Sequence, residues 1–290
     1  MNNLTIRSIT GLIFVVVVIG CILWNPFAYA TLFALITGLT TWEFCSLMNR
    51  HQNCQINRVI TTTASVYFFA AVMAFNMSVT GAEVFIPYLL TIVYLFISEL
   101  YYKENNTLLN WAYTMMAQLY IALPFALLNF LSFFSVSMDV GAHDVFYNPV
   151  FTLSVFIFIW VGDSAAYVFG SWLGKHRLFP RISPKKSWEG TISALVMAVI
   201  VSQVIATYFP YFTTTTQLFN RLAWAGLALV VVGFGTWGDL VESLIKRKLG
   251  IKDSGTVLPG HGGLLDRFDS SLIAIPMAAV YIYTLNHFLL

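Results

Sequence analysis

Leu227-Ala228-Leu229-Val230-Val231-Val232-Gly233-Phe234-Gly235-Thr236-Trp237-Gly238 runs without a charge into Asp239-Leu240-Val241-Glu242-Ser243-Leu244-Ile245-Lys246-Arg247. At about 100° per residue, Asp239, Glu242, Ser243 and Lys246 share one helical stripe about 100° wide. A solvated helix carries such a stripe routinely. This one continues a stretch as apolar as a bilayer-spanning helix, which needs about 20 such residues. Two carboxylates, a hydroxyl and an ammonium must therefore face protein or a water-filled cavity.

The rest of the chain has the same character. Of 290 residues, 58% are hydrophobic and 10% charged, whereas soluble domains carry roughly 25% charged residues. The composition excludes an ordinary soluble fold, disorder and collagen-like repeats, and a net charge of +2 gives no footing for nucleic acid. Apolar stretches run at about 8–24, 27–48, 59–77, 83–101, 107–134, 149–172, 191–209, 222–245 and 271–290. They predict an all-α polytopic integral membrane protein of about nine transmembrane helices. Asn25 and Pro26 alone separate the first two, and Pro124 is expected to kink the fifth. About five helices fall in a region 1–148, and 149–290 holds the rest with its polar loops, 173–190 and 246–269. The N-terminus resembles both a secretion signal and, around Val18-Ile19-Gly20-Cys21, a lipid attachment site; an uncleaved first span is the plainer reading. The three cysteines, Cys21, Cys45 and Cys54, lack metal-ligand spacing.

Lys and Arg in short loops favour the cytoplasmic side. With the N-terminus cytoplasmic, nine spans place Arg7, Arg50, Arg58, Lys103, Lys175, Arg177, Arg181, Lys185, Lys186, Lys246, Arg247, Lys248, Lys252 and Arg267 inside. That is fourteen of the fifteen cations, leaving Arg221 outside. A wrong helix count would scatter them.

Polar residues concentrate after residue 160. Asp163 lies near one end of a span and needs a polar partner, since a carboxylate at mid-membrane costs about 2.5–3.5 kcal/mol on insertion scales. The loop Gly174-Lys175-His176-Arg177-Leu178-Phe179-Pro180-Arg181-Ile182-Ser183-Pro184-Lys185-Lys186-Ser187-Trp188-Glu189-Gly190 holds five cations, which alone would mark orientation or attraction to anionic headgroups. Its Ser183-to-Glu189 core adds hydroxyls beside lysines, a combination suited to phosphate oxygens. The last loop holds Lys252-Asp253 and then Leu258-Pro259-Gly260-His261-Gly262-Gly263-Leu264-Leu265-Asp266-Arg267-Phe268-Asp269. Its glycines allow a ligand close to the backbone, and a following helix N-terminus favours anions. Asp266 and Asp269, three apart, suit Mg²⁺, which takes one or two carboxylates and completes its shell with substrate phosphates and water; Asp269 reads equally as a helix cap. His261 contacts phosphate or stabilises its turn. Glu43, beside Thr40, Thr41 and Trp42, reads first as a helix-packing residue.

From Ser243 to Asp269 the pattern is Ser-x-x-Lys-Arg-x4-Lys-Asp-x-Gly-x2-Leu-Pro-x-His-Gly-Gly-x2-Asp-Arg-Phe-Asp. It resembles the signature of phosphatidate cytidylyltransferases (CDP-diacylglycerol synthases), a likeness that extends back through Ser183–Gly190 and Asp163–Tyr167. Two departures stand out: Ser171 where many relatives carry a basic residue, and Ser187 in place of a common threonine. The resemblance implies that CTP and phosphatidic acid give CDP-diacylglycerol and pyrophosphate, in a Mg²⁺-dependent reaction with room for a second metal ion. It assigns Asp239 and Asp266 to metal; Asp269, from its spacing to Asp266, is a further candidate ligand. It assigns Ser183, Lys186, Ser243, Lys246, Arg247, Lys252 and Arg267 to phosphates; Lys185 and His261 join them as substrate-binding candidates, and Lys186 is expected to act on the charge growing at the leaving pyrophosphate. The chemistry is consistent with that assignment, because nucleotidyl transfer proceeds mainly by positioning and charge neutralisation. The nucleophile needs no strong base, since a phosphate monoester loses its second proton near pH 6.

The expected location is a bacterial inner membrane with the site facing the cytoplasm; the lipid bilayer is the medium, and a homodimer is left open. Competing readings are an anion transporter, a structural membrane protein, and a transferase or kinase acting on another lipid. The transporter reading lacks an inverted repeat and charges at the midplane. The motif of CDP-alcohol phosphotransferases is absent.

Overall fold

The computed structural model describes residues 3–101, 106–138, 142–211, 216–255 and 262–288. Helices run as α1 (Asn3–Trp24), α2 (Pro26–His51), α3 (Arg58–Asn76), α4 (Ile86–Ser98), α5 (Thr107–Ala117), α6 (Leu123–Ser132), α7 (Val150–Leu173), α8 (Trp188–Tyr208), α9 (Gln217–Leu249) and α10 (Leu265–Phe288). Two antiparallel hairpins interrupt them: β1 (Phe133–Met138) with β2 (Ala142–Tyr147), and β3 (Arg177–Phe179) with β4 (Ser183–Ser187). Among the described residues, eight helical segments are long and apolar enough to cross a membrane, and Thr10–Trp24 forms a shorter apolar helix. The protein is an all-α polytopic membrane protein, and each expected span has its helix.

Several boundaries differ from the hydropathy reading. Helix α8 begins at Trp188 because the Ser187 hydroxyl accepts the Gly190 N–H at 3.2 Å, an N-cap. Helix α10 begins at Leu265, so Asp266 and Asp269 lie on its first turns. The loop read as 173–190 contains the β3–β4 hairpin. The fifth span meets Pro124 through a π turn, Gln118–Ala122, joining α5 to α6. Proline has no N–H and crowds the carbonyl four residues earlier, and a wider turn relieves both.

The chain forms two compact units, one of Met1–Pro149 with Leu249–Phe268, the other of Val150–Lys248 with Asp269–Leu290. In the first, Tyr29, Phe33, Phe69, Phe125 and Phe268 are fully buried. Phe125 and Phe268 meet edge to face, with ring centroids 5.3 Å apart. Polar side chains tie its helices together: Gln118 Nε2 donates to Thr61 O at 3.1 Å and Ser65 Oγ at 2.9 Å. Asn129 Nδ2 donates to Phe69 O at 3.2 Å.

In the second unit α8 carries two opposite stripes. Gly190, Ala194, Ala198, Ser202 and Ala206 are buried, whereas Ile192, Val196, Ile200 and Val204 are exposed. Small residues admit close helix approach, and bulky aliphatics face lipid. A side chain at Gly190 would meet Ala166 O of α7 at 2.9 Å, and one at Gly162 of α7 would meet Val232 of α9 at 3.2 Å. Tyr167, Trp172 and Trp188 stand exposed at the same end of α7 and α8, where aromatic side chains suit a membrane–water interface.

Candidate active site

The second unit builds a polar site on the ends of α7, α9 and α10 and on the β3–β4 hairpin. The hairpin is tied to the start of α8: Trp188 N donates to His176 O at 2.9 Å, and His176 Nδ1 lies 2.6 Å from Glu189 Oε1. Arg177 donates to Lys185 O at 3.3 Å across it. This framework delivers Lys186 to α9, where its Nζ lies 2.6 Å from Asp239 Oδ2 and 3.4 Å from Thr236 O. The other Asp239 oxygen accepts the Ser243 hydroxyl at 3.1 Å, and Lys246 pairs with buried Glu242 at 2.5 Å. The stripe expected on α9 is present as two i,i+4 pairs.

Gly238 brings α10 close. A Cβ there would lie 2.7 Å from Asp269 O and 2.9 Å from Ser270 O, so α9 and α10 touch backbone to backbone beside Asp239. Asp269, whose Oδ1 accepts Ser270 N at 2.6 Å, is within electrostatic reach of Asp239, Asp163 and Lys246. Asp163, on α7, feels both Asp239 and Lys186. A cavity of about 290 Å³ opens between these elements, lined by Asp163, Lys185, Lys186, Thr236 and Asp239 with Ile159 and Val232 below them.

In the first unit Asp266 organises a turn. Its Oδ2 accepts Ser254 N at 2.8 Å and Gly263 N at 2.9 Å, and it lies 2.9 Å from Ser254 Oγ. Gly262 has φ +83° and would place a Cβ within 3.4 Å of the Asp266 carboxylate carbon, so glycine is required there. Lys252 and Arg267 flank the turn, both exposed.

Residues 5–285 match the model of the cytidylyltransferase family. The chain belongs to that family. It is similar to the phosphatidate cytidylyltransferase of Staphylococcus aureus (strain COL), 38% identical over 177 residues, and the match spans 60% of either chain. The protein of that name from Staphylococcus haemolyticus is 37% identical over 177 residues, again 60% of both. The one from Haemophilus influenzae is 29% identical over 289 residues, 96% of this chain and 98% of the relative. The relatives are bacterial, in keeping with a bacterial integral membrane protein.

In this member of the family, the second unit gathers Lys186, Asp239, Ser243, Lys246 and Asp269, with Lys185 on the cavity wall. Ser183 sits on β4 opposite Phe179, outside the cavity lining, and Arg247 is exposed past it on α9. His261 lies outside the described residues. Sequence reasoning left Asp163 and Glu43 without a role and did not single out Thr236; Asp163 carried the one available signal, a carboxylate on an apolar span.

The carboxylates suit a divalent cation. Asp163, Asp239, Glu242 and Asp269 stand against the ammoniums of Lys185, Lys186 and Lys246 there, a set of carboxylate oxygens one charge in excess. Among the described residues no group of three or more His, Cys, Asp or Glu is spaced to chelate a metal by itself. Mg²⁺ does not need one, because substrate phosphates and water complete its shell.

Proposed function

We propose that the protein transfers the cytidylyl group of CTP to phosphatidic acid, yielding CDP-diacylglycerol and pyrophosphate, at the cytoplasmic face of a bacterial inner membrane. The observation that carries this reading is the Lys186–Asp239 pair, 2.6 Å apart, over a cavity lined by Asp163 and Asp239 together with Lys185 and Lys186. A phosphate oxygen of phosphatidic acid forms a bond to the α-phosphorus of CTP as the bond to the β-phosphate oxygen breaks, and pyrophosphate leaves with that electron pair. Lys186 faces the negative charge that grows on the leaving group. Lys246 supplies electrostatic hold on the triphosphate, Arg247, Lys252 and Arg267 keep the phosphate assignment of the family motif, and Ser243 orients Asp239. Asp239 is the residue we assign to Mg²⁺, with Asp163 and Asp269 adding negative potential; Asp266 keeps the metal assignment of the family motif. A divalent ion supplies charge neutralisation on the phosphates.

The test is turnover by purified protein in mixed micelles. CTP- and phosphatidic-acid-dependent release of pyrophosphate, lost on chelation of divalent cations and restored by Mg²⁺, is expected. Equal turnover with an isoprenoid phosphate, or none with CTP, overturns the substrate assignment.

A further inference from the structure

Glu43 of α2 is 7% exposed, and the donors that meet it come from a segment more than two hundred residues away. Its Oε1 accepts the hydroxyl of Ser254, itself 3% exposed. Its Oε2 accepts Leu264 N at 2.8 Å, and Leu265 N also donates to the carboxylate. A buried carboxylate is tolerated only when its lone pairs are satisfied, and here the donors sit at both ends of one stretch, 254–264. Asp266 holds the same two ends from the other side, through Ser254 N and Gly263 N.

The glycines of the stretch match this arrangement. A Cβ at Gly263 would overlap the Glu43 carboxylate and the Ser254 hydroxyl, and one at Gly255 would lie 3.0 Å from the Glu43 carboxyl carbon. Gly263, part of a glycine pair expected to admit a ligand, thus admits the protein's own carboxylate. Glu43 and Asp266 thus both hold Ser254 to the backbone at residues 263 and 264. Lys252 lies two residues before the stretch, and Arg267 lies one residue past Asp266.

We propose that Glu43 is a positioning residue for nucleotide binding: by clamping Ser254 and Leu264 it fixes the backbone just after Lys252 and the start of α10 that carries Arg267, and it acts through those two cations on the triphosphate. The inference rests on the CTP reading above. Glu43 touches no substrate; its effect passes through Ser254 and the backbone at Leu264.

The experiment compares Glu43→Gln, Glu43→Asp and Ser254→Ala in the full-length protein, with CTP and phosphatidic acid varied separately and amide hydrogen exchange followed over 249–268. Glu43→Gln should raise KM for CTP about tenfold or more, leave KM for phosphatidic acid within about twofold, and speed exchange at Gly263 and Leu264. Combining it with Ser254→Ala should add less than the sum of the two, as for groups in one network. Glu43→Asp should recover part of the loss. Wild-type KM for CTP in Glu43→Gln, or a rise in both KM values together with a lowered Tm, overturns the proposal. If wild-type protein shows no turnover of CTP, the functional reading falls, while unchanged exchange in Glu43→Gln would overturn the clamp whatever the nucleotide.

Discussion

Lys186 and Asp239 hold each other at 2.6 Å, each with about a quarter of its side chain exposed, so either can be exchanged for a substrate or ion group without burying a lone charge. An interaction made chiefly in the transition state lowers kcat and spares KM. Lys186→Ala is therefore expected to depress kcat more than it raises KM for either substrate. Lys186→Arg should restore little, because a planar fork does not reproduce a compact ammonium. Asp239→Asn should leave a folded, membrane-inserted protein with turnover down at least about a hundredfold, the scale of losing a major electrostatic stabiliser; near-normal rates at saturating Mg²⁺ would count against its assignment. The α9 stripe was legible in the sequence because helical periodicity alone puts Asp239 beside Ser243 and Glu242 beside Lys246. Asp163 was legible only as a residue in need of a partner, since its neighbours Asp239 and Lys186 come from elements far away in the chain. Glu43 was less legible still, because Ser254 and Leu264 follow it by more than two hundred residues and no periodicity links them.

At the scale of elements, the close crossing of α9 and α10 depends on Gly238. A methyl group there meets backbone oxygens of Asp269 and Ser270 at 2.7 and 2.9 Å, and backbone cannot swing aside as a long side chain can. Overpacking of this kind costs about 1–3 kcal/mol. Gly238→Ala is thus expected to lower Tm and to cut turnover out of proportion, because it shifts Asp239 against Asp269; circular dichroism melts beside kinetics check both. The start of α8 offers a milder test. Ser187→Ala removes an N-cap and should cost about 1 kcal/mol, while Ser187→Thr keeps the capping oxygen and should melt near wild type. Hydropathy located the helices well and their ends poorly, for a physical reason. The ends are set by caps and turn chemistry, as at Ser187, and by a local change of winding, as at Gln118–Ala122 before Pro124. Neither alters the apolar content of a window.

Across the whole molecule, the apolar helices followed from length and composition, and the fourteen-to-one asymmetry of Lys and Arg predicts a cytoplasmic basic side. The sequence did not reveal that residues 249–268 belong with the N-terminal helices, because that grouping is made by tertiary contacts such as Phe125 with Phe268 and Glu43 with Leu264. Orientation is checked within the second unit, where Ser183 and Gln217 lie at opposite ends of the helices α8 and α9. In a cysteine-free background and right-side-out vesicles, an impermeant maleimide should label Gln217→Cys and spare Ser183→Cys; the reverse pattern would invert the topology. The exposed rings of Tyr167, Trp172 and Trp188, at the cavity's end of α7 and α8, suit a membrane–water interface, which predicts a cavity at headgroup depth. A substrate that reaches it by sliding along the leaflet obeys surface kinetics. Turnover should then follow the mole fraction of phosphatidic acid in the micelle or bilayer and fall on dilution with neutral phospholipid at constant bulk concentration, while CTP responds to its molarity in water.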